Sequence, residues 1–200
     1  MIIIPAAEAV VILTPRAGST ALKRMLLNRD YPQAFSPYRH MEADGVPAGY
    51  EHYQKFGVVR KPLARLWSVY CFLQRAVENP KPKWHRFDMG AHKETIQYGF
   101  RHWLAKNTVP FATSVGFGGD IDPRYHTLHP KPEAQKSQYE YLRPDLGTTV
   151  YRFEDMGNLV RTIAARAGRD PVYDPPLVLS ERVNHASTRK PGDVVDLFYE

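Results

Sequence analysis

Arg16, Ser19 and Thr20 crowd around Gly18 in the stretch Val10-Val11-Ile12-Leu13-Thr14-Pro15-Arg16-Ala17-Gly18-Ser19-Thr20-Ala21-Leu22. A guanidinium and two hydroxyls at that spacing suit a phosphate or sulfate, whose oxygens accept several hydrogen bonds at once. The backbone adds to them. Apolar β-branched residues 10–13 read as a buried strand, Pro15 and Gly18 break it, and Leu22, Met25 and Leu26 recur at helical spacing. Strand, tight loop and helix aim the first-turn N–H groups at one point, where the helix dipole also favours an anion. Pro15, Arg16, Ala17, Gly18, Ser19 and Thr20 therefore form a candidate phosphate cradle. The same stretch also reads as an ordinary strand–turn–helix with a glycine in the turn and a serine cap. It is not the common ATP/GTP loop, because no Gly stands five residues before Gly18 and Ser19 occupies the Lys position.

A second group lies downstream, in Arg60-Lys61-Pro62-Leu63-Ala64-Arg65-Leu66-Trp67-Ser68-Val69-Tyr70. Arg60 follows a short strand-like run, 55–59, and Ser68 falls two turns into the helix that Pro62 opens. A long guanidinium can swing back along such a helix to share an anion with the hydroxyl. Alternatively, Arg60 pairs with a nearby acid and Ser68 packs.

The elements that must position these residues are legible in outline. The spacing predicts a helix over 62–78 with Leu63, Leu66, Trp67, Tyr70 and Leu73 on its broad apolar face. Further helices are expected over 92–105, with Ile96, Phe100, Trp103 and Leu104 inward, and over 133–142. A strand at 148–153 precedes a helix over 155–167 that stops at Gly168. Tyr31–Tyr50, 79–90 and 107–132 read as loops, the last long enough to suggest a substrate-facing lid. Strands alternating with helices imply an α/β domain with a parallel sheet, and ligands in such sheets sit at the carboxyl ends of the strands. Arg16, Arg60 and Glu154 all fall at or just after such ends.

Composition narrows the function. At 200 residues the chain suits one α/β domain, and no linker or repeat divides it. A net charge of +6 favours anionic partners without choosing among them. The single cysteine, Cys71, excludes an intramolecular disulfide and a multi-Cys zinc site, and its apolar surroundings make it a core residue. Residues 1–5 are too short and uncharged for a signal peptide. No run of about 18 apolar residues suggests a membrane span, so a cytoplasmic location is expected.

Taken together, Pro15-Arg16-x-Gly18-Ser19-Thr20 after a first strand and Val58-x-Arg60-x-Pro62-x-x-Arg65-x-x-Ser68-x-Tyr70 resemble the sulfotransferases that use 3′-phosphoadenosine 5′-phosphosulfate (PAPS). His129-Pro130-Lys131-Pro132, then Ser137-Gln138-Tyr139-Glu140-Tyr141-Leu142, then Val150-Tyr151-Arg152-Phe153-Glu154-Asp155-Met156, are similar to the carbohydrate and tyrosylprotein branches. The resemblance spans residues 10 to about 168. It implies a P-loop-like three-layer α/β fold with a central, mostly parallel sheet flanked by helices. It further implies that the first loop holds the 5′-phosphosulfate and that Arg60 and Ser68 hold the 3′-phosphate. Arg16 stands where many members carry a Lys that stabilises the bridging oxygen; tyrosylprotein enzymes carry Arg there. Asn184–Lys190 has the polarity of the segment that closes over the 3′-phosphate. No metal is required.

An acceptor hydroxyl needs a base with a pKa near neutral. His40 is the first choice, lying between the loop helix and the second strand as does a histidine in uronyl 2-O-sulfotransferases; it also reads as an exposed loop histidine. Glu42, Asp44, Glu51 and His52 are rivals, and some members of the family use a Glu. His126, His129 and Trp84 are candidate acceptor contacts, with loops 31–54, 79–91 and 107–132 around the acceptor. The expected function is sulfuryl transfer from PAPS to a hydroxyl, most simply of a carbohydrate, without membrane or nucleic-acid partners. Two rivals remain. A small-molecule kinase would need a cradle Lys and an Mg²⁺-holding acid, of which Glu154-Asp155 supplies only the acid. A non-catalytic anion- or nucleic-acid-binding domain is compatible with the charge but shows no nucleic-acid motif.

Overall fold

A computed structural model describes residues 1–27, 31–37, 40–78, 96–106 and 137–169. The described residues up to Arg60 and those from 137 onward form one unit; those from Lys61 to 106 form a second.

The first unit is built on a four-stranded mixed sheet in the order β1 (Ile2–Ile4), β2 (Ala9–Ile12), β3 (Gln54–Val59) and β4 (Thr149–Arg152). The expected strands run parallel: β2 beside β3, with Val11 opposite Phe56, and β3 beside β4, with Val59 opposite Arg152. The sequence reading did not include β1. It pairs antiparallel with β2 through a tight turn in which Pro5–Ala7 form a 3₁₀ turn and Glu8 takes a left-handed conformation. Its outer edge is bridged by Phe35, which exchanges two backbone hydrogen bonds with Ile3 at 2.9 and 3.1 Å. An edge covered in this way offers no ladder to another chain.

Alternation along the strands builds a core on each face of the sheet. Ile2, Ile4, Val11, Phe56 and Val58 pack under α1 (Ser19–Leu26) and α5 (Met156–Arg166). Helix α5 buries Met156, Leu159, Val160, Ile163 and Ala164, one continuous stripe. Ile3, Val10 and Ile12 lie on the other face, covered by Met41, Ala43 and Leu142. Leu142 closes the short α4 (Gln138–Leu142). The chain is thus α/β, with a mixed sheet covered on both faces of this unit. Ser137 caps α4 through a reciprocal capping box: its Oγ accepts from Glu140 N at 3.2 Å, and its own N–H donates to Glu140 Oε2 at 2.7 Å.

The second unit contains α2 (Pro62–Glu78), with the bounds the sequence predicts, and α3 (Phe100–Lys106). Leu66, Val69, Tyr70 and Cys71 of α2 pack with Ile96, Phe100 and Trp103, and Tyr70 Oη donates to Ile96 O at 3.2 Å. Cys71 is a free, buried thiol. Leu63 is 44% exposed, so the apolar stripe of α2 begins one turn later than expected. Helix α3 follows Gly99, whose φ is 91°; of the rest of the helix expected over 92–105, Ile96 is helical and 92–95 lie outside the described residues. Among the described residues no helix is long and apolar enough to cross a membrane. Trp84, His126, His129, the segment 182–192, loops 79–91 and 107–132, and the leading residues of the helices expected at 92 and 133 lie outside the described residues.

Candidate functional site

Three parallel strands end side by side in the first unit, and each is followed by a charged residue: Arg16 beyond β2, Arg60 beyond β3, Glu154 beyond β4. After β2 the chain makes a tight turn in which Ala17 N–H donates to Thr14 O at 3.3 Å. Pro15 occupies the second position of that turn. Arg16 occupies the third with φ of 62°, the left-handed conformation a type II turn demands there. Holding a non-glycine residue there costs about 1–2 kcal/mol, so the surrounding structure must enforce it.

Gly18 is also left-handed, at φ of 87°, and it is the N-cap of α1. No side chain caps this helix, so Ser19 is its first residue and not the cap the sequence suggests. The first helical bond is Leu22 N–H to Gly18 O at 3.0 Å. The N–H groups of Gly18, Ser19, Thr20 and Ala21 therefore precede the helical ladder, whereas that of Ala17 is taken by the turn. A Cβ on Gly18 would run into Met156 Cε and crowd Phe153 Cε2 at 3.1 Å, so this glycine is required by conformation and packing alike. At the base of the loop Thr14 is 2% exposed, and its Oγ1 has no hydrogen-bond partner among the described residues. Burying a hydroxyl unpaired costs about 1–3 kcal/mol, which an anion or water at the loop would relieve.

Arg60 turns toward this loop. Its Nη1 donates to Arg16 O at 3.5 Å, and its Cζ lies 4.9 Å from the centre of the Phe153 ring. The backbone of Arg60 is held by Gln138: the N–H donates to Oε1 at 2.8 Å, and the carbonyl accepts from Nε2 at 2.9 Å. Arg60 and the Pro15–Thr20 loop are thus brought together within one unit. Ser68 belongs to the second unit, half-buried on the second turn of α2.

His40 is 1% exposed, which removes the exposed-loop alternative. Its Nδ1 lies 2.7 Å from Leu13 O, directly before the turn. A carbonyl can only accept, so Nδ1 carries a proton. Of the rival bases, Glu42 is buried, whereas Asp44, Glu51 and His52 are exposed. Asp44 pairs with Arg143 at 3.1 Å. Glu51 is held below the usual carboxylate range by its own backbone N–H and that of Gly49, and is a correspondingly weaker base.

Phe153 and Gln138 escaped the sequence reading as site residues. The Ser137-x-x-Glu140 pattern is visible in the chain and predicts the start of α4. Its long-range contact with Arg60, 78 residues away, is not. The chain matches no protein-family model, no curated protein and no solved structure.

Proposed function

We propose that this chain is a PAPS-dependent sulfotransferase of P-loop-like, three-layer architecture, acting in the cytoplasm on a hydroxyl of a carbohydrate or other small acceptor. The observation that carries it is the pairing of the loop at 15–20 with the Arg60 guanidinium, two cationic oxyanion grips beyond neighbouring strands. The donors of Gly18–Ala21, the buried hydroxyl of Thr14 and the two guanidiniums fit a multiply charged nucleotide end. On this reading Pro15–Thr20 hold the 5′-phosphosulfate, and Arg60 holds the 3′-phosphate.

Sulfuryl transfer, like phosphoryl transfer, is an in-line displacement dominated by positioning and charge stabilisation. Negative charge grows on the oxygen joining sulfur to the departing 5′-phosphate. Arg16 and the loop N–H groups oppose that charge, and so favour the transition state over the ground state. On this reading His40, its Nδ1 held on Leu13 O, is the base that takes the acceptor's proton.

Adenosine 3′,5′-bisphosphate is expected to raise the melting temperature of the chain where ATP–Mg²⁺ and oligonucleotides do not. A response to ATP–Mg²⁺ alone would favour a kinase, and a response to oligonucleotides alone a nucleic-acid-binding domain.

The two named side chains separate by binding and rate. Arg60→Ala is expected to weaken bisphosphate binding at least tenfold by calorimetry, about 1.4 kcal/mol or more. His40→Gln, whose amide can still donate to Leu13 O, is expected to bind normally and lose about 10²–10⁴ in turnover. Wild-type turnover in His40→Gln would leave that histidine a purely structural role.

A further inference from the structure

We propose that Gln138 is a positioning residue for anion binding: its carboxamide locks the backbone of Arg60 and thereby fixes the direction from which the guanidinium meets the loop at 15–20. The proposal rests on the nucleotide reading above and adds to it a residue from a distant part of the chain.

Arg60 stands one residue beyond the end of β3, where the ladder to β4 closes with Val59 opposite Arg152. A backbone leaving a sheet at that point has lost the partner that fixed it. Gln138 supplies a substitute, because a carboxamide carries an acceptor and a donor in one plane. Its Oε1 takes the Arg60 N–H at 2.8 Å, and its Nε2 donates to the Arg60 carbonyl at 2.9 Å. The side chain of one residue thus extends the ladder by one step.

Gln138 is itself held. It is the first residue of α4, a five-residue helix too short to persist alone. Two features fix that helix: the capping box of Ser137 and Glu140 at its start, and the burial of Tyr141 and Leu142 at its end. Leu142 sits over Gly57 of β3, where any Cβ would collide with its Cδ2. Helix α4 is therefore tied to β3 at Gly57 and to the residue after β3 at Arg60.

The consequence falls on the guanidinium. A free arginine side chain holds rotamer entropy that an anion must otherwise remove on binding. With its backbone clamped, its end stacked on Phe153 and Nη1 bonded to Arg16 O, Arg60 is arranged before any ligand arrives. Such preorganisation lowers the cost of association.

Gln138→Glu tests the clamp through pH. A carboxylate still accepts the Arg60 N–H, but its second oxygen faces the Arg60 carbonyl and repels it. A protonated carboxyl donates there and restores both bonds, and its pKa is raised for that reason. The experiment measures adenosine 3′,5′-bisphosphate affinity of wild type, Gln138→Glu and Gln138→Ala at pH 8 and pH 5.5, with melting curves to confirm folding. Relative to wild type at the same pH, Gln138→Glu is expected to bind about tenfold more weakly at pH 8 and nearly equally at pH 5.5. Gln138→Ala is expected to lose about the same factor at both. If wild type binds but the Gln138→Glu deficit is the same at both pH values, the clamp does not position Arg60. Full affinity in a folded Gln138→Ala overturns it likewise. Failure of wild type to bind at either pH overturns the nucleotide reading itself, and this inference with it.

Discussion

Arg16→Gly is expected to make the protein more stable and, on the proposed chemistry, to lower its turnover. Arg16 holds φ of 62° with a Cβ in place, a conformation that glycine adopts without steric penalty. Relief of about 1–2 kcal/mol, set against about 0.5–1 kcal/mol of extra chain entropy in the unfolded state, leaves a net gain of up to about 1.5 kcal/mol. For a chain of this size each kcal/mol raises the melting temperature by about 2–4 °C. On the proposed chemistry the same substitution removes the guanidinium that opposes charge on the leaving oxygen, at about 10²–10³ in turnover. Arg16→Ala separates the two effects: it loses the guanidinium but keeps the Cβ, so it forfeits activity without the gain in stability. Arg16→Lys keeps the charge and loses the planar fork, and is expected to retain more activity than either. Turnover within a few-fold of wild type in Arg16→Gly would detach this residue from the chemistry. A glycine variant that melts no higher than the alanine one would show that the left-handed turn is not strained.

The parts of the fold that sequence exposed are those where one local rule dominates. Helix α2 was readable because Pro62 sets its first turn and Leu66, Trp67 and Tyr70 recur at helical spacing. The same periodicity says which face is buried but not how far its cover extends, hence the exposed Leu63. Strand β1 escaped because three isoleucines before a proline show no alternation; what makes them a strand is β2 on one side and Phe35 on the other. In the site, the loop at 15–20 was legible because glycine, proline and hydroxyl residues restrict the backbone within a few positions. The contacts of Arg60 were not. Phe153 and Gln138 lie some 80 to 90 residues further along, and only the parallel register of β3 and β4 and the docking of α4 on β3 bring them to Arg60. His40 stands out in sequence only by type, as a candidate base; its burial and its bond to Leu13 O depend on how the segment after Tyr31 folds back over the sheet.

Two glycines in the first unit look alike in sequence and differ in cause, and a pair of double-mutant cycles is expected to separate them. Gly57 faces Leu142, and its conformation is one any residue adopts. Gly57→Ala is therefore expected to cost about 1–3 kcal/mol by overpacking alone. Shortening Leu142 to Ala makes room for that methyl group, so Gly57→Ala in the Leu142→Ala background is expected to be neutral or mildly stabilising. The coupling between the two sites then equals nearly the whole single-mutant cost. Gly18 carries two demands, the contact with Met156 and the left-handed φ of 87°. Gly18→Ala is expected to cost about 2–4 kcal/mol, the sum of overpacking and of forcing a Cβ into that conformation. Met156→Ala relieves only the first, so the cycle is expected to leave about 1–2 kcal/mol that no trimming of neighbours recovers. That residue of strain also sets the direction of the Gly18 N–H at the start of α1, so on the proposed nucleotide reading bisphosphate affinity is expected to be weakened in Gly18→Ala/Met156→Ala. Chemical denaturation of the single and double variants supplies both couplings. Complete recovery of stability at Gly18 would mean that packing alone selects this glycine, and that the loop's left-handed backbone carries no cost of its own.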